Sequence, residues 1–430
     1  MRSHNPRRRS KRAPATIIMG TAVVLAAGVL LTPSQASPSS GHPVLVGRAV
    51  LPALTFAGGP PSGAFEVPGP GTVNGVTFPL PGQPVEGFSA IVDGREPGEF
   101  LAMPDNGFGS KVNSRDFLIR AYYIRPRFKT ARGGDGAVEV GDFISFRDPD
   151  HRIGFPLVNE GTTSRLLTGG DIDPESLQRG RHGDLWVGEE FGPWILHFSS
   201  TGVLLDPPFA MPDGIRSPDN PFLNGAPPTH PGSRGLEGMA ISPDRKHLYA
   251  ALEGATLADP DQSRRHVYEF STRNKVFTGR VFQYRTGAPD WPAATANLVA
   301  DMWAVDTHRL VVIERDRGFG ASDRFARIYL VDLRVTDDSG FLQKTQLVDL
   351  TAIPDPDLVS LPALHPGDVG LGDPFRVTCE SVEAVHLVKG NRLLVGCDNN
   401  LPNSGRNPGL PDDSEFILVD VPGLRAAGHS

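Results

Sequence analysis

The 430-residue chain lacks the signatures by which most hydrolases are recognised from sequence. It has no Gly-x-Ser-x-Gly stretch, which excludes the strained nucleophile turn of an α/β-hydrolase. Its twelve histidines show no His-Glu-x-x-His or similar spacing, which argues against a zinc hydrolase. Arg181-His182-Gly183 lacks the downstream Arg and Pro of a histidine acid phosphatase, and neither cysteine is followed by the Arg of a cysteine-dependent phosphatase. No glycine-rich loop leads into a helix to cradle a nucleotide phosphate. Basic residues are in deficit too: Lys and Arg number 42 against 49 Asp and Glu, a formal charge of −7.

The deficit deepens if the N-terminus is an export signal. Arg7, Arg8, Arg9, Lys11 and Arg12 precede an apolar run from Ala13 to Leu31, and Ser34-Gln35-Ala36 offers small residues for cleavage after Ala36. The alternative is an uncleaved anchor, for which the run is borderline against the roughly 20 residues a span needs. Residues 1–36 are therefore expected to be a signal peptide, 37–46 a linker, 47–425 one domain and 426–430 a tail. Cleavage removes six basic and no acidic residues, leaving a charge of about −13 on a secreted protein. Nucleic acid is not an expected partner, nor is a membrane after cleavage; cations are. A monomer is expected.

Cysteine is nearly absent. In an exported chain Cys379 and Cys397 invite one disulfide. A hairpin paired about its turn sets Cys397 opposite Ala384 and Cys379 five residues beyond, about 16 Å along a straight strand. A bridge thus needs a bend before Glu383, and both outcomes stay open.

What is abundant is punctuation. Gly 49 and Pro 41 are scattered through the chain, as many short strands and turns require. One unit recurs: an acidic residue, an apolar strand, a polar turn, a second apolar strand, another acidic residue. It reads Glu86 to Asp105, Glu175 to Glu189-Glu190, Glu237 to Glu253, Asp301 to Glu314, and Glu383 to Asp398. The midpoint of each acidic pair falls inside its predicted turn, so both acids sit at the same end of an antiparallel hairpin. Units 60 to 90 residues apart predict an all-β fold, a β-propeller with one hairpin at the heart of each blade. Five blades are readable; a sixth is expected from the chain ends or from Phe117 to Leu167. Closure is expected between Gly47–Phe56 and Glu415–Val421.

Such a ring gathers carboxylates at one mouth, where they repel each other unless a cation lies among them. Irregular oxygen donors suit Ca²⁺ better than Mg²⁺. The expected ligands are Asp105, Glu175, Glu189, Glu237, Glu253, Glu314, Glu383 and Asp398, with Glu190 and Asn106 beside them. The alternative is that these acids cap strands or pair with Arg234, Arg315 and Arg317. For phosphoester hydrolysis, Glu237 and Glu190 are the candidate proton acceptors, and Arg234 and Arg315 the candidate phosphate ligands. Lys111, Arg115 and Arg317 lie near the same motifs. Asp398-Asn399-Asn400 with Asp412-Asp413-Ser414-Glu415 is either a second cation site or loop support.

The stretches EGFSAI, PDNGFGSKVNSRDFLIRAYYIRPRF, LTGGDIDPESLQRGRHGDLWVGEEFGPWILHF, RGLEGMAIS, VVIERDRGFG and DNNLPNSGRNPGLPDDSEFIL resemble the phytase-like proteins credited with the esterase-like activity of phytase. The resemblance covers nearly all of the expected mature chain. It implies a metal-dependent phosphoester hydrolase acting on a small phosphorylated or ester substrate. Some relatives carry a fused glycerophosphodiester phosphodiesterase domain that is missing here. The alternative function is a non-catalytic binding propeller with a structural metal.

Overall fold

The computed structural model describes residues 41–66, 71–291 and 297–424, so the expected signal peptide, its cleavage point and the tail lie outside the described residues. Five four-stranded antiparallel sheets make up the ring. The first blade is Phe88–Asp93, Phe100–Pro104, Arg120–Pro126 and Val138–Ser145. The second is Pro174–Arg179, Leu185–Glu189, Trp194–Phe198 and Phe209–Ala210. The third is Leu236–Ile241, His247–Leu252, Arg264–Ser271 and Val276–Arg285. The fourth is Leu298–Ala304, Arg309–Arg315, Ala326–Thr336 and Leu342–Asp349. The fifth takes Ser381–Val388, Arg392–Asp398 and Ser414–Asp420, and then Val44–Leu51 from the other end of the chain as its outer strand.

The first strand of each blade packs against that of the next, and the fifth against the first, so the ring is closed. The two inner strands of each blade are buried almost throughout because neighbouring blades cover both faces; the outermost strands of the first, third and fourth blades are largely exposed or half-buried. Phe88 of the first blade meets Phe416 of the fifth at 5.7 Å, in an interblade core with Ala49, Ile91, Ala384 and Leu394.

The five predicted hairpins are all present, and the expected closure is too: Val44 pairs with Asp420 and Leu51 with Ser414. Among the described residues the expected sixth blade is not formed. The N-terminal strand completes the fifth sheet, and Phe117 to Phe146 supply the outer half of the first blade, leaving residues 147–173 as loop and turn apart from isolated bridges.

One irregularity repeats around the ring. The first strand of every blade is bulged against the second, at Ser89, Glu175, Glu237, Ala300-Asp301 and Glu383. A bulge bends the strand and re-aims the extra side chain. The bulge at Glu383 also closes the open cysteine question. It moves Cys397 opposite Val382 instead of Ala384, and the chain bends at Glu380, so Cys379 is only three residues away. Cys379 and Cys397 are disulfide-bonded, with Cα atoms 6.1 Å apart.

Candidate functional site

All first strands begin, and all second strands end, at one mouth of the ring. There a cavity of about 140 Å³ receives side chains from every blade. The first blade gives Asp105 and Asn106, the second Asp173, Glu175 and Glu190, and the third Arg234, Glu237 and Glu253. The fourth gives Arg315 and Arg317, and the fifth Glu380, Glu383, Asp398 and Asn400. Three of these acids, Glu175, Glu237 and Glu383, are the bulged residues themselves. In the first blade the bulge carries Ser89, whose hydroxyl donates to Glu383 Oε2 at 3.1 Å.

Arg315 stands among the carboxylates. Its Nη2 lies 2.5 Å from Glu383 Oε1, 3.0 Å from Glu253 Oε1 and 3.3 Å from Glu237 Oε1, all buried. Arg234 Nη1 reaches Glu253 Oε2 at 3.0 Å, and Arg317 Nε reaches Glu380 Oε1 at 3.0 Å on the exposed rim. One guanidinium does not balance the ring. Burial, followed by repulsion from Glu253, Glu383 and Glu190, holds the Glu237 carboxyl well above its ordinary range. Burial and Glu237 do the same to Glu175, burial and Glu253 to Glu190, and burial and Asp105 to Asp398. Asp105 is raised by burial and Asp173, and burial pushes Asp173 itself up to about 7.

The profile for Phytase-like proteins, described as "Esterase-like activity of phytase", matches residues 83–401, which span all five inner hairpins. The chain belongs to the phytase-like family. A curated relative from Arthroderma benhamiae, named an uncharacterized secreted protein, is 26% identical over 117 residues. That match spans 22% of this chain and 22% of the relative's length. Among solved structures, a luciferin-regenerating enzyme is 12% identical, with 79% of this chain and 80% of that one covered at a TM-score of 0.34. A gluconolactonase from Xanthomonas campestris is 13% identical, with 70% and 69% covered at 0.29. Scores this low say nothing about the chemistry of the phytase-like chain.

Of the residues expected at the mouth, Asp105, Asn106, Glu175, Glu190, Glu237, Glu253, Glu383 and Asp398 are brought together with Arg234, Arg315 and Arg317. Glu189 and Glu314 are not. Side chains alternate along a strand, so of two adjacent residues only one faces the cavity. In the second blade Glu190 enters, while Glu189 turns back to accept the Phe191 and Gly192 amides at 3.0 and 2.8 Å. In the fourth blade Arg315 enters, and Glu314 accepts from the Tyr284 hydroxyl, the Gly287 amide and Lys344 Nζ. The bulge there takes two residues, and Asp301 spends Oδ2 on the Val385 amide at 2.9 Å. Lys111 and Arg115 line a separate hollow. Asp412 and Asp413 support loops: Asp412 accepts the Gly405 and Arg406 amides and Asp413 the Ala53 amide, while Glu415 pairs with Arg48 and Arg406.

Asp173 was missed. It precedes the second blade by one residue and does not belong to the recurring pair, although Asp173-Pro174-Glu175 places two acids at the spacing of one strand face.

Three groups of carboxylates have oxygens within 4.8 Å of one another: Asp105, Asp173 and Glu175; Glu175, Glu237 and Glu383; Glu190, Glu237 and Glu253. The second and third include acids held by Arg315 or Arg234. The first has no ion pair to a basic side chain within 4.0 Å among the described residues, and Asp173 and Glu175 are close enough to share a proton. An all-oxygen set that crowded fits a hard divalent cation.

Proposed function

We propose that this phytase-like chain is an exported, cation-dependent phosphoester hydrolase, acting as a monomer on a small phosphorylated or ester substrate. The observation that carries the reading is the division of the acidic mouth. One carboxylate group, Asp105, Asp173 and Glu175, has no basic side chain within 4.0 Å among the described residues, and the other two include acids held by arginine. Asp105, Asp173 and Glu175 would hold the cation, for which Ca²⁺ is the candidate. A bound divalent cation supplies positive charge for phosphoryl oxygens that gain negative charge in the transition state.

The remaining work belongs to the chain. Arg234, partly exposed, and Arg317 on the rim bind phosphoryl oxygens. Arg315 fixes Glu237, Glu253 and Glu383 in place rather than meeting substrate, because its Nη2 is already shared among them. Glu190 keeps one oxygen on the Gly235 amide at 2.6 Å and has the other for a water; burial, followed by repulsion from Glu253, raises its pKa and so its basicity. Glu190 takes a proton from water as the water oxygen bonds to phosphorus. The ester P–O bond breaks, and the departing alkoxide takes up the proton that Glu190 received.

Arg315 also favours a second reading, a binding propeller without catalysis, since it partly neutralises the ring by itself. Two measurements separate the readings. The secreted protein is assayed on a phosphomonoester, a phosphodiester and phytate with Ca²⁺ and with chelator, and Ca²⁺ binding is titrated calorimetrically for wild type and Asp173→Asn. Chelator-sensitive turnover, with Ca²⁺ affinity lost in the variant, is expected. Ca²⁺ binding with background turnover on every substrate sinks the hydrolase and leaves the scaffold.

A further inference from the structure

Beside the acidic mouth lies a hollow of opposite character, a groove of about 320 Å³ lined by Lys111, Arg115, Phe155, Leu157, Val158 and Pro221, among others. The same two loops build both spaces. The loop after the first blade's second strand sends Asp105 and Asn106 into the acidic cavity, then Lys111 and Arg115 into the groove. The segment leading to the second blade sends Gly170 and Asp171 into the groove, then Asp173 and Glu175 into the cavity. A molecule of modest length can therefore occupy both.

The groove's charge is uncommitted. Neither Lys111 nor Arg115 has a carboxylate within 4.0 Å among the described residues. Lys111 Nζ donates to the Asp219 carbonyl at 3.2 Å and sits 4.8 Å from the Phe191 ring centre. Arg115 lies 5.6 Å over Phe65. Asp171, the one acid of the lining, spends both oxygens inside the protein, on the Val158 amide at 2.7 Å and on the Thr168 amide and hydroxyl at 2.9 Å. Two cations with no ion pair within 4.0 Å among the described residues, in a chain of net charge −7, mark a place for an anion.

The wall is apolar and braced. Phe155 stacks on Trp194 at 5.6 Å with 26° between the rings, and Phe222 meets it edge-on at 5.9 Å. A ring held this way offers a flat surface at little entropic cost on binding.

We infer that the groove binds an aromatic anion, and that it is the subsite for the non-reacting body of the substrate while the esterified group enters the acidic mouth. The anion site stands on the groove alone; its assignment to the substrate rests on the hydrolase reading. Substrates are then esters whose body is a negatively charged, ring-containing group, in preference to small alkyl phosphates.

The probe is naphthalene-1-sulfonate, titrated calorimetrically into the full secreted protein in chelator, with neutral naphthalene-1-methanol as the comparison. Wild type is expected to bind the sulfonate saturably and the alcohol more weakly. A Lys111→Met/Arg115→Met double variant is expected to lose on the order of tenfold in sulfonate affinity, and Phe155→Ala to lose affinity for both probes. These residues lie at the surface or are half-buried, and an unchanged melting temperature verifies the fold. Absent saturable binding, or equal sulfonate affinity in the double variant, overturns the groove. In turnover, 4-sulfo-1-naphthyl phosphate, whose ring body carries its own charge, is expected to show a lower KM than methyl phosphate, and the double variant to shrink the difference. Equal KM values in wild type overturn the substrate assignment. Sulfonate binding that depends on Lys111 and Arg115, with neither phosphate turned over, upholds the anion site and refutes the hydrolase.

Discussion

Replacing Arg315 by Met tests how the acidic mouth is held. The guanidinium serves Glu237, Glu253 and Glu383 at 3.3, 3.0 and 2.5 Å, and each of the four side chains is at most 7% exposed. Removing one member of a buried ion pair costs about 3–5 kcal/mol. Three acids are stranded at once here, but Glu237 and Glu253, whose carboxyls burial already raises, have an escape, because they can take up a proton. For a carboxyl with an ordinary pKa near 4.5, that costs about 3.4 kcal/mol at pH 7 and about 0.7 kcal/mol at pH 5. The expected loss in urea unfolding, with chelator present so that no cation replaces the guanidinium, is therefore about 3–5 kcal/mol at pH 7. It should shrink to about 1–2 kcal/mol at pH 5 as proton uptake becomes cheap. Adding Glu253→Gln should recover part of the pH 7 loss, since contacting residues couple. A loss below about 1 kcal/mol at pH 7, or one that is unchanged at pH 5, would refute the reasoning.

Two further outcomes concern the fifth blade. The Cys379–Cys397 bridge closes a loop across a sequence separation of 18, so Cys379→Ser/Cys397→Ser is expected to cost about 3 kcal/mol in urea unfolding; a loss within error of zero would mean that the unfolded chain gains nothing from release. Glu415 is buried, which alone raises its pKa, yet Arg406 and Arg48 outweigh burial and hold it below its ordinary value. With the folded pKa depressed, its stabilisation is present above about pH 4.5 and is lost as pH falls through the folded value. Glu415→Gln should thus be destabilised at pH 7 and converge on wild type in acid; parallel urea midpoints from pH 7 to 3 would contradict this.

The hairpins were legible because an antiparallel pair places symmetric residues together, and the acids flank each turn symmetrically. That symmetry identifies the mouth but not the facing of each residue. Glu189 and Glu190 differ by one step of alternation, as do Glu314 and Arg315, and the bulges that re-aim the facing first strands leave no mark in the residues themselves. The same bulges hid the cysteine geometry, because straight-strand counting gave Cys379 two residues too many. The closing pair was expected from the sequence, but the blade count was misjudged because Val44–Leu51 completes the fifth sheet and the chain ends build no sheet of their own among the described residues. Asp173 escaped because it belongs to no repeat.

The outer strand of the fifth blade also dictates a timetable. Val44–Leu51 leaves the ribosome ahead of every blade, yet its partner Ser414–Asp420 follows all five inner hairpins. Loop closure over that separation must be met before the contacts return anything, so the ring shuts last. Since the acidic mouth draws on all five blades, it does not exist until that moment. A chain still being synthesised carries the parts of the acidic mouth but not the mouth itself, which ring closure completes.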